Sequence, residues 1–336
     1  MKIIGVKATR PAGADRKSCI VELLTDAGVK GIAVADISAR AQIKRLVKER
    51  LAGADPRGVT GLWRQLSDPQ SAARGKAYRH ATVALDLALW DLKAKANGEP
   101  LWKTLGGARP RANAYASHKN PAASDAELTT WFQQMAREHG LRGGKLQVGA
   151  DGDADERRLG RMRAALAEAT PEPVLMIDAG HGWPVKEAID RVRSMERQFD
   201  LTWVEGISRD RDSRGLRQLS DAIGGAVCAG AGLATIGEFL PLFERYSADV
   251  VALDIGAVGI TAALQIADAA YGLELPVTLT AAPGNIHVHL AGAMPYFMSA
   301  EIVDPRPATG LFASDVRIAD GWAVAGDAPG NGLVLS

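Results

Sequence analysis

The sequence predicts an α/β protein in which eight parallel strands close into a barrel, preceded by a smaller α+β domain. From about residue 113 onward, short apolar strands alternate with amphipathic helices. These strands are apolar on both faces, which is typical of a parallel sheet covered on both sides. An open, doubly wound sheet is the alternative, but no Gly-x-Gly-x-x-Gly follows the first strand and the long regular repeat favours closure.

The smaller domain comes first and begins with a hairpin. Asp26, Ala27 and Gly28 form a turn signal between two segments with strand composition. A long apolar helix follows and stops at Gly98-Glu99-Pro100. We therefore expect an α+β domain over residues 1–110, with strands at 2–8, 18–25 and 29–34 and helices at 40–51, 61–66 and 78–96.

The barrel is expected over residues 111–310, because strand and helix signals alternate there without interruption. We expect residues 311–336, which hold short strand-like pieces and turns, to return to the first domain. The predicted barrel strands are 114–117, 144–148, 174–179, 202–207, 226–230, 250–255, 276–281 and 300–303, with helices between them such as 125–139, 156–168, 185–199, 235–246 and 260–271.

Composition excludes several classes of function. Of the 336 residues, 24% are charged and the formal net charge is +1, so no global field attracts nucleic acid or anionic lipid. The charged run 209–212 (RDRD) is interpreted as solvated surface. With only Cys19 and Cys228, no signal peptide and no stretch of about 20 apolar residues, the expected location is the cytoplasm, without a membrane partner.

Active sites of parallel barrels form at the carboxyl ends of the strands. Asp178 and Glu205 end two consecutive predicted strands, and Ala231 ends the third. A divalent cation prefers about six oxygen ligands, so two acids and an alanine make a poor cage for it. The other side chains that this rule selects are Ser117, His118, Lys119, Lys145, Gln147, His181, Asp254 and Thr280.

Four segments carry a resemblance to a known family. Residues 84–93 (ALDLALWDLK), which lead to Leu105-Gly106-Gly107, resemble the end of the capping domain in the enolase superfamily, in its mandelate racemase and muconate lactonizing branch. Residues 25–31 (TDAGVKG), 259–261 (GIT) and 329–332 (PGNG) fit the same pattern, so the resemblance covers essentially the whole chain.

The resemblance implies a (β/α)7β TIM-like barrel under an α+β capping domain. It also implies a Mg²⁺ ion held by three strand-end acids, and abstraction of a proton beside a carboxylate by a lysine or histidine base. A proton beside a carboxylate is a very weak acid, so the reaction needs a cation that neutralises the growing charge.

Several positions depart from the family pattern. The second lysine of the family's Lys-x-Lys is Gln147 here, and glutamine is not a useful base near neutral pH. The histidine of the His–Asp dyad is Thr280, although its partner Asp254 is retained. Glu301 matches an acid that in mandelate racemase donates to the substrate carboxylate.

The metal ligands implied by the resemblance are Asp178 and Glu205, because the third position is Ala231. The alternative is that the two acids are remnants paired with Lys145 or with water, so we expect Mg²⁺ to bind weakly or not at all. A two-acid site holds Mg²⁺ only where water or substrate supplies the remaining oxygens.

Three groups could replace the missing base or bind substrate. Lys145 becomes a base if its pKa falls, or it simply pairs with an acid. His181, three residues after Asp178, could reach the barrel mouth. Arg16 and Lys17 match the mobile cap loop that closes over the substrate in this family, and their charge could meet an anionic substrate or simply belong to a solvated turn. The predicted catalytic residues are Lys145, His181 and Asp254, and the predicted substrate-binding residues are His118, Lys119, Gln147, Thr280 and Glu301.

The function implied by the resemblance is proton abstraction next to the carboxylate of a small hydroxy-acid or sugar-acid, by a dehydratase, racemase or cycloisomerase. The alternative is a non-catalytic or metal-independent member that kept the fold and lost the Mg²⁺-dependent chemistry. In either case we expect a small-molecule carboxylate as ligand and a homo-oligomer.

Overall fold

The capping domain consists of an antiparallel sheet with helices packed against it. The computed structural model describes residues 1–10, 17–67, 74–149 and 151–335, so Arg16 lies outside the described residues. The strands β1 (Ile3–Thr9), β2 (Ser18–Thr25) and β3 (Lys30–Asp36) form the sheet in that order. The helices are α1 (Arg40–Leu46), continued by a π-helical turn over Val47–Leu51, α2 (Val59–Leu66), α3 (Lys76–Asn97) and α4 (Leu101–Thr104).

The long helix α3 lies directly on the sheet. Its close approach requires Gly31 in β3, because a Cβ atom there would lie 2.2 Å from the backbone oxygen of Ala88. Helix α3 ends at Gly98, whose φ of 67° is the left-handed conformation that glycine favours at a helix C-terminus. The stop signal in the sequence therefore marks the end of this helix.

Eight parallel strands form the closed barrel that the sequence predicts. Strand β11 pairs with β4, with Glu301 opposite Tyr115, and this pairing closes the ring. The strands are β4 (Arg111–His118), β5 (Gly143–Gln147), β6 (Val174–Asp178), β7 (Leu201–Glu205), β8 (Ala226–Ala229), β9 (Val250–Leu253), β10 (Val277–Leu279) and β11 (Phe297–Ile302). The helices between them are α5 (Asp125–His139), α6 (Gly152–Leu166), α7 (Val185–Glu196), α8 (Ser213–Ser220), α9 (Ile236–Glu244) and α10 (Ile255–Tyr271), and a 3₁₀ helix (Pro283–Ala293) precedes β11.

The barrel interior is filled by side chains that alternate along the strands. Tyr115, Met176, Trp203 and Cys228 belong to one buried cluster inside the ring. Because side chains on a strand alternate between its two faces, residues two positions further along the same strands also point inward. This alternation brings acids and a lysine from neighbouring strands together at the carboxyl end of the barrel.

The C-terminal segment contacts both domains. Its hairpin, β13 (Arg317–Ala319) and β14 (Trp322–Val324), extends the sheet because β14 pairs antiparallel with β4. Strands β12 (Phe312–Ser314) and β15 (Leu333–Leu335) form a second, two-stranded sheet. Asn331 contacts the capping domain: its backbone N–H donates to Asp91 Oδ1 at 2.8 Å and its Nδ2 to Ile32 O at 2.9 Å.

A buried acid joins the capping domain to the barrel. Asp86 in α3 is fully buried and accepts hydrogen bonds from the backbone N–H (2.9 Å) and hydroxyl (2.6 Å) of Thr261 in α10. Trp90 Nε1 donates to the same hydroxyl oxygen at 2.9 Å. Gly259, with φ 81°, leaves room for the carboxylate, because a Cβ there would lie 2.6 Å from Asp86 Oδ2. Burial raises the pKa of Asp86 to about 6 despite these hydrogen bonds.

Within the described ranges, none of the helices combines the length and the apolar character that crossing a bilayer demands.

Candidate active site

A buried glutamate at the end of β11 holds two lysines. Glu301 is fully buried, and its carboxylate lies 2.9 Å from Lys145 Nζ on one side and 2.9 Å from Lys119 Nζ on the other. The backbone N–H of Ala281 also donates to it at 2.9 Å. Burial by itself would raise the pKa of Glu301, but the two ammonium groups outweigh this effect and hold it well below its usual range. Glu301 is therefore ionised and binds two cations. An ionised carboxylate has no proton to donate to a substrate.

Lys145 lies between two carboxylates. Its Nζ is 2.5 Å from Glu205 Oε2 and 2.9 Å from Glu301 Oε1, and only 3% of its side chain is exposed. Burial alone would lower the pKa of Lys145, but the charges of Glu205 and Glu301 raise it well above the ordinary value. An ammonium group with this environment does not give up its proton near neutral pH. The geometry thus favours the pairing alternative and disfavours Lys145 as a base.

The family's metal position has two acids side by side. Asp178 and Glu205 are register partners at the ends of β6 and β7. One oxygen of each is already engaged, Asp178 Oδ1 by the N–H of Gly180 at 2.9 Å and Glu205 Oε2 by Lys145. Ala231 carries no oxygen in its side chain. Among the residues that the structure describes, no group of three or more His, Cys, Asp or Glu side chains is placed to hold a metal ion. The residues present therefore do not fit the three-carboxylate Mg²⁺ site of the family.

Asp210 is engaged in the loop that carries Ala231. Its buried carboxylate accepts from the N–H of Gly230 at 3.2 Å and from the N–H of Gly232 at 2.6 Å. It thereby fixes the backbone on both sides of Ala231. The interpretation of residues 209–212 as solvated surface is wrong for Asp210, because its chain segment folds inward to satisfy two backbone donors.

His181 is held at the rim of the barrel mouth. Its φ of 62° turns the chain so that its backbone N–H donates to Gly206 O at 2.5 Å. Its Nδ1 lies 2.6 Å from the carbonyl oxygen of Ser208. Because a carbonyl only accepts, Nδ1 carries a proton and donates it to Ser208 O. Nε2 is therefore the ring nitrogen that remains for a ligand at this exposed position.

His118 and Lys119 point in opposite directions. The ring centroid of His118 lies 5.1 Å from that of Trp131 in α5, so His118 packs between the barrel and its helices. Burial lowers the pKa of His118. Lys119, one residue further, reaches the barrel mouth and contacts Glu301. The structure thus brings only one of these two predicted substrate-binding residues into the site.

The ends of β9 and β10 complete the mouth. Asp254 begins α10 as its N-cap and accepts from the N–H of Gly256 at 2.7 Å. Burial raises the pKa of Asp254, and the Gly256 hydrogen bond and the charge of Lys119 oppose this shift. Thr280 is buried after β10, and Gln147 lies partly buried opposite Asp178 in the register of β5 and β6.

His287, behind Glu301, is a structural residue. The backbone N–H of Ala282 donates to its Nδ1 at 3.2 Å, so its Nε2 carries the proton and donates to Glu301 O at 3.0 Å. Burial lowers the pKa of His287 to about 4, which keeps the ring neutral. Through these two hydrogen bonds it links the 3₁₀ helix to the last strand of the barrel.

Comparison with known proteins identifies the family. Residues 6–106 match the mandelate racemase / muconate lactonizing enzyme N-terminal domain, and residues 127–336 match the enolase C-terminal domain-like family. The chain belongs to the enolase superfamily, in its mandelate racemase/muconate lactonizing enzyme branch. The resemblance seen in the sequence is therefore confirmed.

Relatives within the enolase superfamily include enzymes of sugar acids. The chain is 31% identical over 298 residues to the L-talarate/galactarate dehydratase of Salmonella typhimurium, covering 86% of this chain and 72% of that protein. It is 29% identical over 290 residues to the 3,6-anhydro-alpha-L-galactonate cycloisomerase of Streptomyces coelicolor, covering 85% and 78%.

Solved structures of this superfamily share the whole fold. A racemase from Streptomyces coelicolor with bound magnesium superposes with a TM-score of 0.86 at 25% identity, covering 99% of this chain and 97% of that one. The L-talarate dehydratase from Polaromonas sp. JS666, complexed with Mg and L-glucarate, gives a TM-score of 0.86 at 28% identity, covering 100% and 95%.

Proposed function

We propose that this protein acts on a small hydroxy-acid or sugar-acid carboxylate by moving a proton at the carbon beside the carboxylate. A dehydratase, a racemase or a cycloisomerase would use this step. The similarity to acid-sugar dehydratases and a cycloisomerase supports the substrate class. The observation that carries the proposal is the ammonium group of Lys119, which is half exposed at the mouth and held there by the buried Glu301.

Lys119 is the anchor for the substrate carboxylate. An ammonium group has three donors, and Glu301 takes only one of those of Lys119. The side chain is 51% exposed, so the remaining donors can reach a bound anion.

Asp254 is the group placed to move the proton. It follows β9 at the barrel mouth, to which Lys119 also belongs. A raised pKa makes a carboxylate a better general base at neutral pH. Across the mouth, the free Nε2 of His181 is a second proton-transfer group. Gln147 and Thr280 contribute hydrogen bonds only, because neither side chain titrates.

A second candidate function is ligand binding without chemistry. Lys145 is fixed as an ammonium group between two acids, which removes the nearest lysine from base catalysis. Gln147, Thr280 and Ala231 stand where the family has a base, a histidine and a metal ligand. A protein of this kind would bind the carboxylate at Lys119 and release it unchanged.

The two candidates differ in isotope exchange. The protein would be incubated in D₂O with a panel of hydroxy-acids and sugar acids, with Mg²⁺ and separately with excess chelator, and followed by NMR. If our proposal is right, deuterium enters at the carbon beside the carboxylate, or product forms, even with the chelator present. This signal should be lost in Asp254→Asn. Binding without exchange supports the second candidate.

Binding is measured in parallel by calorimetry. Lys119→Met should weaken binding of the carboxylate at least tenfold, since it removes the only exposed cation of the lysine pair. The matched control Lys48→Met removes an exposed lysine of the capping domain, in the π-helical turn that packs on β1, and should leave binding unchanged. If no carboxylate binds, or if both variants behave alike, the site assignment is refuted.

A further inference from the structure

A cavity of about 250 Å³ lies at the amino-terminal end of the barrel. Gly143 and Val174, the first residues of β5 and β6, line it, and so does the turn between β13 and β14. The candidate active site is at the other end of the same strands, as is usual for parallel barrels. The cavity is therefore a separate site.

The hairpin turn forms a fixed wall of this cavity. Gly321 in the turn donates its backbone N–H to His139 O at 2.9 Å, and its own carbonyl accepts from the N–H of Ala114 at 3.3 Å. Its φ is 82°, and a Cβ atom there would lie 2.9 Å from Gly140 O. These contacts tie the turn to the barrel, so the cavity has its shape before a ligand binds.

The inner part of the cavity is apolar and suits an aromatic ring. Met176 and Trp203 belong to the buried cluster inside the barrel, Met298 packs against that cluster, and all three line the cavity. Thioether groups pack favourably against aromatic rings, and an apolar ring gains from leaving water. Because an apolar cavity of about 150 Å³ can hold benzene, a cavity of this size accommodates one ring with a short substituent.

Trp203 offers a hydrogen bond to such a ligand. Its side chain is fully buried, yet among the residues that the structure describes its indole N–H has no hydrogen-bond partner. A buried donor that lacks an acceptor costs about 1–3 kcal/mol. Tyr115 packs edge-on against the indole ring, with ring centroids 5.3 Å apart and planes at 84°, and this contact orients the indole. An acceptor oxygen on a bound ligand would satisfy the N–H.

The charges around the cavity favour a neutral ligand. Arg142 and Asp320 line it and are both exposed, so they mark the side that faces water. Their opposite charges give this side no net preference for an anion. A carboxylate that entered the apolar part would also lose its hydration, which is unfavourable.

We infer that this cavity binds a small neutral aromatic molecule with one carbonyl group. The ring packs between Met176 and Met298, and the carbonyl oxygen accepts the indole N–H of Trp203. This site goes beyond the proposed function, because it uses the opposite end of the barrel and a different class of ligand.

The test titrates the full chain with acetophenone, ethylbenzene and benzoate, and follows binding by NMR. Trp203→Phe keeps an aromatic ring and removes the indole N–H. We expect the affinity for acetophenone, relative to that for ethylbenzene, to fall about threefold to tenfold in this variant, which is the value of one hydrogen bond. An unchanged ratio would overturn the inference. So would tighter binding of benzoate than of acetophenone, because it would indicate an anion held by Arg142.

Two further variants serve as controls. Trp183→Phe removes another buried indole N–H that has no partner among the described residues, but Trp183 follows β6 outside the lining of this cavity, so the ratio should not change. Val174→Phe places a ring in the cavity and should weaken acetophenone and ethylbenzene about tenfold or more, since close-packed space admits only one occupant. This variant tests the location even if Trp203→Phe does not fold. If acetophenone does not bind to the parent protein, the cavity holds only water and the inference fails, while the proposed function is unaffected.

Discussion

The buried Asp86 makes the contact between the capping domain and the barrel sensitive to pH. Its carboxylate accepts two hydrogen bonds from Thr261, 175 residues further along the chain, and it is fully buried. Burial raises its pKa from the ordinary 3.8 to about 6. Because the folded-state pKa lies above the unfolded one, this acid favours folding below pH about 4, and that contribution is lost as the pH rises through about 6.

The size of the effect follows from the difference in pKa. A shift of about 2 pKa units corresponds to about 3 kcal/mol in the free energy of unfolding. Asp86 titrates at a different pH in the folded and in the unfolded state. Between pH 4 and pH 7, this difference lowers the free energy of unfolding by about 2 kcal/mol. Asp86→Asn resembles the protonated acid in shape and carries no charge. We therefore expect the variant to match the parent near pH 4 and to be more stable by about 2 kcal/mol at pH 7.

Urea unfolding of both proteins across this pH range measures the difference. The control Asp268→Asn removes an exposed acid on α10, the helix that carries Thr261, and should not reproduce the gain in stability at pH 7. A constant difference between the parent and Asp86→Asn would refute the reasoning, because it would mean that Asp86 does not titrate between pH 4 and pH 7.

The remaining predictions concern the barrel mouth and the cap. Lys145→Met leaves the buried acids Glu205 and Glu301 without their shared cation, so the free energy of unfolding should fall by about 3–5 kcal/mol at pH 8. The loss should shrink toward pH 5, since unpaired buried carboxylates can then take up protons, and a loss independent of pH would contradict this. Asp210→Asn exchanges one acceptor oxygen for an NH₂ group, so we expect about 1 kcal/mol of destabilisation and faster hydrogen exchange in the loop after β8; unchanged exchange would argue against its role in that loop. Gly31→Ala should lower the urea midpoint by the equivalent of about 1–3 kcal/mol because of the short contact with α3, and an unchanged midpoint would show that the helix moves freely.

The sequence was sufficient to predict the barrel, because a strand that is buried on both faces appears in the sequence as a continuous apolar run. It could also identify the acids at strand ends, since all eight strands point the same way. The sequence could not show which of His118 and Lys119 points into the barrel mouth. The two residues are neighbours at a strand end, and side chains there alternate between the inside and the outside of the barrel. Which of the two points inward depends on the register between β4 and its neighbours.

Buried acids away from the strand ends, such as Asp86 and Asp210, were missed for a different reason. Asp86 stands within an apolar helix, and Asp210 lies between two arginines in a loop. Each is stabilised by backbone donors from a distant part of the chain, which no local pattern reveals. An acid inside an apolar helix is nevertheless a usable signal, because burying a carboxylate requires a partner.

Glu301 has a further consequence because two lysines share it. Lys119 is open to the mouth, while Lys145 is sealed and also contacts Glu205. An anion bound to the remaining donors of Lys119 would partly neutralise that ammonium group, so that Lys145 would become the stronger electrostatic partner of Glu301. Lys119, Glu301, Lys145 and Glu205 thus form a line of alternating charges that connects the exposed rim of the mouth to β7.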